Sequence, residues 1–197
     1  MTGQLPFDGY EFAGVVTAAE LVNSLALERA FGRRVEVEPP LAAIERILAA
    51  DPTWPGVVEG DAPGFVALAS TLREIFDDVH RGDVDDAARR LNALLAAHPA
   101  HPHLAEDDGV WRLHHHPVDA EAVPMATAIC AEALARAIGA GGAERLGTCE
   151  AQDCDRVFLD SSKNASRRFC STTCQNRVKA AAFRRRRATA DGPAAGR

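Results

Sequence analysis

Along the first 140 residues, apolar positions recur at the three-and-four spacing of helices that bury one face. Thr17 to Glu20 reads as a capping box, in which Thr17 caps an amide and Glu20 reaches back. Leu21, Val22 and Leu25 follow at helical spacing, with Gly32 as a stop after Arg29. Residues 35–38 form a short connector. Pro39-Pro40 opens a second helix with Leu41, Ile44 and Leu48 on its face, ended by Asp51-Pro52. A Pro- and Gly-rich loop, 52–63, contains Trp54. The third helix runs over about 64–81, with Phe65, Leu68, Leu72, Ile75, Phe76 and Val79 as its stripe and Gly82 as its end. Asp83 is placed to cap a fourth, whose face is Ala87, Ala88, Leu91, Leu94 and Leu95; residues 98–102 break it. Extended runs at 103–106 and 110–116 flank Asp107-Asp108-Gly109, a hairpin signal. A fifth helix spans about 119–138, with Val123, Ile129, Leu134 and Ile138 on one side and Pro124 tolerable only in its first turn or at a kink. Gly139-Ala140-Gly141-Gly142 reads as a C-cap and linker, which sets a domain boundary. Residues 157–159 form a strand, and Ser171 caps a last helix beginning near Thr172.

The resulting expectation is an α+β, mainly α protein. A helical domain with a small β-hairpin covers 1–142, a treble-clef-like unit ending in a basic helix covers 143–188, and a disordered tail covers 189–197. At 197 residues the chain is long enough to bury a sizeable core. Its 47% hydrophobic and 25% charged residues argue against wholesale disorder. No continuous apolar run reaches the length of about 18 residues that a membrane span needs. The first residues lack a basic start and an apolar segment, so no secretory signal is expected, and a cytoplasmic protein is. No nucleophile elbow, P-loop or HExxH motif occurs, so no motif supports an enzyme.

Charge changes the picture. Residues 1–146 hold 11 Arg, no Lys and 23 acidic residues, a net of −12. Residues 147–197 hold 11 basic and 5 acidic residues, a net of +6. Nine basic residues and no acid lie between Lys163 and Arg187. A basic segment joined to an acidic body is suited to a polyanion. Arg outnumbers Lys 20 to 2, so part of this arginine reflects codon bias. Both lysines, Lys163 and Lys179, nevertheless fall in the basic segment.

The same segment carries four cysteines. Cys149, Cys154, Cys170 and Cys174 are spaced C-x4-C and C-x3-C across 26 residues, a pattern that closes a tetrahedral zinc site. Two disulfides or four unrelated thiols are the alternatives, and a cytoplasmic location disfavours the disulfides. With all four positions filled by protein, one Zn²⁺ would hold the fold rather than activate water.

Around these cysteines, Arg167-Arg168-Phe169-Cys170-Ser171 and then Cys174-Gln175-Asn176-Arg177 resemble the CGNR zinc-finger family, whose pattern is Arg-Arg-aromatic-Cys-Ser followed by Cys-Gly-Asn-Arg. Residues 158–162, Phe-Leu-Asp-Ser-Ser, fit as well; Gln175 stands where the family has Gly. The preceding region resembles the ABATE domain at Gly14, Asn23-Ser24-Leu25, Leu72-Arg73 and Trp111-Arg112-Leu113. The resemblance implies a stress-induced transcription regulator whose finger binds DNA and whose N-terminal domain receives a signal, with a small-molecule effector as one form of that signal.

On the last helix, Cys174, Val178 and Ala182 share the face toward metal and core. Asn176 and Arg177 are candidates for base contacts, since Asn reads adenine and Arg reads guanine. Lys179, Arg184, Arg185, Arg186 and Arg187 are candidates for phosphates. Arg167 and Arg168 either join them or, with Arg177, pack over the thiolates or cap carbonyls inside the finger. A finger that reads few bases implies a homodimer or a partner. The rival expectation is a structural finger, or one that binds protein or RNA, with Phe158, Phe169 and Phe183 as its aromatics and the last two packed. Among the remaining residues, His101, His103, His114 and His116 could meet across the hairpin as a second metal or ligand site. Glu106, Asp107 and Asp108 read as turn acids, Cys130 as a buried thiol, and Trp54 and Trp111 as core.

Overall fold

The computed structural model describes residues 9–36, 38–49, 54–99, 101–107, 109–116 and 118–190. Helix α1 covers Gly9–Leu25 and starts well before the expected capping box. Thr17 lies inside it, its Oγ1 donating to the Ala13 carbonyl at 3.0 Å. The apolar stripe begins upstream of that motif, at the fully buried Val15, and carries the helix back with it. After Leu25 the chain folds into a hairpin the pattern did not suggest, β1 (Arg29–Ala30) paired with β2 (Arg33–Arg34). Phe31 (φ 55°) and Gly32 (φ 89°) form its turn. Two-residue strands are too short to show alternation. The expected end of helix 2 at Asp51-Pro52 lies outside the described residues.

Three further helices follow, α2 (Pro40–Leu48), α3 (Ala62–Arg81) and α4 (Val84–Ala97). The whole expected stripe of α3 is buried. Gly82 ends α3 in the left-handed region at φ 86°, where glycine has no steric penalty. Asp83 stands at the N-cap of α4 but makes no side-chain cap; its carboxylate pairs with Arg81 instead. Strands β3 (His103–Asp107) and β4 (Val110–His114) form the expected hairpin, with His103 opposite His114 and Leu104 opposite Leu113. Asp108, one of the expected turn acids, lies outside the described residues. Trp111 does not join the core. It is 65% exposed, on the same hairpin face as Leu104 and Leu113, because this hairpin projects from the helices. Trp54 packs half-buried against the core as expected.

Helix α5 (Ala122–Gly139) packs against α1 and α4. Its alanines at 126, 128, 131, 133 and 137 are buried along with Met125, Ile129, Cys130 and Leu134, a wider burial than one face of four residues. By length and composition α5 is apolar enough to cross a membrane, but most of it is buried among the other helices. It lies against α1, where a Cβ on Gly14 would stand 2.6 Å from the Ala133 Cβ, so the two backbones approach as only glycine allows.

A 3-10 turn leads into β5 (Leu146–Thr148), which pairs antiparallel with β6 (Val157–Leu159) before the last helix, α6 (Thr172–Ala190). Leu146, Val157 and Leu159 belong to the same buried cluster as Leu21, Ile44, Phe65, Leu72 and Leu134. The hairpin that carries the cysteine knuckle is therefore walled in by α1 and α3. The helix α6 runs two residues past the expected start of the tail; residues 191–197 lie outside the described ones.

Candidate metal centre and basic helix

The C-x4-C pair sits on the knuckle between β5 and β6, and the second pair flanks the start of α6. Ser171 caps that helix as expected, its Oγ accepting from the Cys174 N–H at 3.3 Å. The four donor sulfurs all lie within 4.8 Å of one another. Cys154, Cys170 and Cys174 are 3.6–3.8 Å apart, sulfur to sulfur. Four thiolates at tetrahedral angles and Zn–S of 2.3 Å stand about 3.8 Å apart, so the donor set has the size of one zinc ion. Disulfide pairing does not fit these separations, since a bonded pair requires about 2.05 Å.

The electrostatics of the thiols call for a cation. Burial, then the charge of neighbouring sulfurs, pushes Cys149 and Cys170 above the usual thiol range. Cys154 is also disfavoured by burial, yet the N–H groups of Phe31 and Arg156 hold it below its ordinary value. The Cys170 N–H points at Cys149 Sγ, 3.4 Å away, and Arg177 Nη1 lies 3.8 Å from Cys174 Sγ. Amide and guanidinium donors thus converge on sulfurs that metal charge would hold as thiolates. The cluster fits one structural Zn²⁺, held by Cys149, Cys154, Cys170 and Cys174, which among the described residues supply four ligands, the full tetrahedral set.

Much of this centre is built by the helical part of the chain. Gly32 N–H donates to the Asp153 carbonyl at 2.9 Å, and Arg29 N–H to the Asp155 carboxylate at 2.8 Å. Arg29 also pairs with Asp153 at 2.6 Å, and Arg73 donates to the Asp155 carbonyl. Asn23 of α1 works as a one-residue strand: its amide donates to the Val157 carbonyl and accepts the Val157 N–H, each at 3.0 Å. Below the cysteines, the buried Asp160 accepts the N–H groups of Ser162 (2.7 Å) and Arg167 (2.6 Å). Burial opposes its charge, but those donors and Arg145 hold its carboxyl below the usual range. Sequence reasoning singled out neither this role of Asp160 nor the β1–β2 wall. The Phe31-Gly32 turn was the available signal for the latter.

The basic candidates divide into two groups. Arg167 donates to the carbonyls of Phe169 and Cys170 and stacks on Phe158, its guanidinium carbon 4.8 Å from the ring centroid. Arg168 pairs with Glu150, which lowers that carboxyl from its ordinary value. Arg177 donates to the Gln152 carbonyl at 3.0 Å and fills the space beside Gly32. All three are engaged within the finger, Arg167 and Arg177 by loop carbonyls that need donors and Arg168 by a carboxylate. Asn176, Lys179, Arg184, Arg185, Arg186 and Arg187 are exposed on α6. Every residue from 183 to 189 is exposed, so the helix end projects away from the body. Phe183 was expected to pack and instead is 58% exposed, since nothing of the body extends that far along α6. Among the histidines, His103, His114 and His116 come together, whereas His101 is exposed and contributes only its carbonyl to His103.

Comparison with known families gives two adjoining matches. A family model for the ABATE domain, described as "putative stress-induced transcription regulator", matches residues 16–141, more than half of the chain. A model for the CGNR zinc finger matches residues 145–187. The search of curated proteins gave no match.

Proposed function

The chain belongs to the ABATE family and carries a CGNR zinc finger after that domain, and from this premise we propose that it regulates transcription by gripping duplex DNA with α6. The observation that carries the proposal is the outward stripe of that helix. Asn176, Lys179, Phe183 and Arg187 follow one another at steps of three and four residues, with Arg186 three residues beyond Phe183, all exposed and turned away from the face of Cys174 and Val178. Lysine and arginine on this stripe, with Arg184 at its flank, neutralise phosphates, and Asn176 lies nearest the finger to meet a base edge. Zinc fixes the direction of the stripe by tying the first turn of α6 to the knuckle. The acidic body repels the same polyanion, which leaves the projecting helix as the approach. The helical domain receives the signal, an effector or a change in self-association, and transmits it through the β1–β2 wall of the metal centre.

One observation favours a second reading. Phe183, exposed among arginines, suits stacking against an unpaired base, as in single-strand or RNA binding. The test uses the full chain, because the finger's hairpin is buried in the common core. Anisotropy is measured with duplex DNA, single-stranded DNA and RNA over a salt series, with and without a zinc chelator. Zinc-dependent preference for duplex supports the proposal. Preference for single strands that is lost in Phe183→Ala supports the second reading. Indifference to all three leaves an acidic protein surface as the partner and overturns the proposal.

A further inference from the structure

The projecting hairpin holds a second constellation that the zinc finger does not use. The antiparallel register sets His103 directly opposite His114, and His116, two residues beyond the strand, packs its ring edge-on against both. Between them His115 turns the other way, toward α5, where its Nδ1 lies 2.9 Å from Glu132 Oε1. Glu132 is itself held by Arg136 at 2.8 Å. His115 thus faces α5, on the other side of the chain from the two flanking imidazoles. His114 and His116 are buried, and His103 is half-buried.

The three rings pack against one another. Their centroids stand 5.5 Å (His103–His114), 5.3 Å (His103–His116) and 5.2 Å (His114–His116) apart. Imidazoles bound to one ion at about 2.0–2.1 Å and tetrahedral angles have centroids roughly 5.2 Å apart and donor nitrogens roughly 3.4 Å apart. His114 Nδ1 and His116 Nε2 are 3.2 Å apart, already the separation of two ligands on one ion. His103 Nδ1 is turned to the His101 carbonyl at 3.0 Å, so one ring rotation is needed to bring a nitrogen to the same point. Among the described residues, only the four thiols of the finger have all donor atoms converged without such a movement.

We propose that His103, His114 and His116 form a second metal site, for a borderline divalent transition-metal ion such as Zn²⁺, Co²⁺ or Ni²⁺. Imidazole suits these ions, and no thiolate is at hand to select a softer one. Three protein ligands leave one position open to water or an exchangeable anion, unlike the closed finger. The ion is therefore held exchangeably, on a hairpin that lies outside the common core. The site does not depend on whether α6 binds DNA.

The test takes the full chain with its finger filled by one zinc and adds Co²⁺, followed by visible absorption and calorimetry. The proposal expects one further ion per chain. Its spectrum should show the d–d bands of nitrogen ligation and lack the near-ultraviolet thiolate-to-cobalt band, because the finger keeps its zinc. His103→Ala and His116→Ala should weaken this ion by at least about 10–100-fold, the loss that removing even an outer-shell partner causes. His101→Ala should leave it unchanged. The melting temperature of each variant guards against misfolding, and the half-buried His103 decides the matter if His116→Ala does not fold. A chain that takes up no second ion overturns the proposal, leaving the His114–His116 contact as a hydrogen bond between the two rings. It is equally overturned if cobalt enters only with a thiolate band, or binds both variants as tightly as the parent.

Discussion

The sharpest test of the α6 stripe removes two of its charges without touching the fold. Lys179 and Arg186 are exposed and seven residues apart, on the face turned away from the metal. Each phosphate contact contributes about 0.9 to the slope of log K against log salt. At 0.1 M salt, relative to 1 M, one contact is therefore a factor of about 8, and two contacts are a factor of about 60, or about 2.5 kcal/mol. With Lys179, Arg184, Arg186 and Arg187 all on phosphates, the parent slope should be about −3.6, and Lys179→Ala/Arg186→Ala should bring it to about −1.8. Alanine is the best helix former, so the thermal midpoint should hold or rise slightly. The assay is fluorescence anisotropy of the full chain on duplex DNA between low and moderate salt. An unchanged slope in a folded, zinc-loaded variant would refute the reasoning, because the phosphates would then be contacted from elsewhere. A slope that falls together with the thermal midpoint would refute it too, by showing that these side chains support the fold.

Other consequences follow from the groups that tie the metal centre to the helices. Asn23→Ala strands the Val157 N–H and carbonyl in a buried setting, and should cost about 2–4 kcal/mol in denaturant unfolding at constant zinc. Asp160 has a folded pKa below its unfolded value, so its contribution is present above about pH 4 and is lost as pH falls through the lower folded value. Asp160→Asn should therefore destabilise the protein near neutral pH by about 1.5–3 kcal/mol, with the difference from the parent shrinking in acid. Cys130, fully buried with its thiol pushed up to about 12, should resist alkylation in the native protein and react only on unfolding, as mass spectrometry would report. A zinc chelator should release the knuckle and α6 to exchange and proteolysis first, while α3 and α5 persist, since their core contains no metal ligand.

The contrast between what the chain disclosed and what it hid has a physical basis. Helix α3 was legible because one stripe meets one core, so period and burial coincide over twenty residues. The metal centre was legible because thiolate spacing is set by bond lengths that tolerate little variation. Helix α5 was only half legible: it is buried on nearly all sides, and alanine fills such a position without leaving a polar face to mark the period. Trp111 and Phe183 were misplaced for a common reason. Aromatic residues are usually buried, and that prior fails where an element projects beyond the body, a property of the assembled fold rather than of the local pattern.

The least legible feature is the dependence of the finger on the helical part. The basic segment looks self-contained in sequence, with its own charge, cysteines and glycine-rich approach. Yet the Phe31 N–H helps hold the Cys154 thiol low, Asn23 completes the edge of β6, and Arg177 reaches back to the turn at Gly32. Each contact spans more than a hundred residues, which no periodicity records. Their effect is that metal affinity and the packing of α1 are one linked quantity: anything that shifts the β1–β2 turn removes a donor from a zinc ligand and a wall from Arg177. Linkage is reciprocal. Zinc must then stabilise the α1 end of the helical domain as much as that domain tightens zinc, so the proposed signalling would need no separate hinge to reach α6.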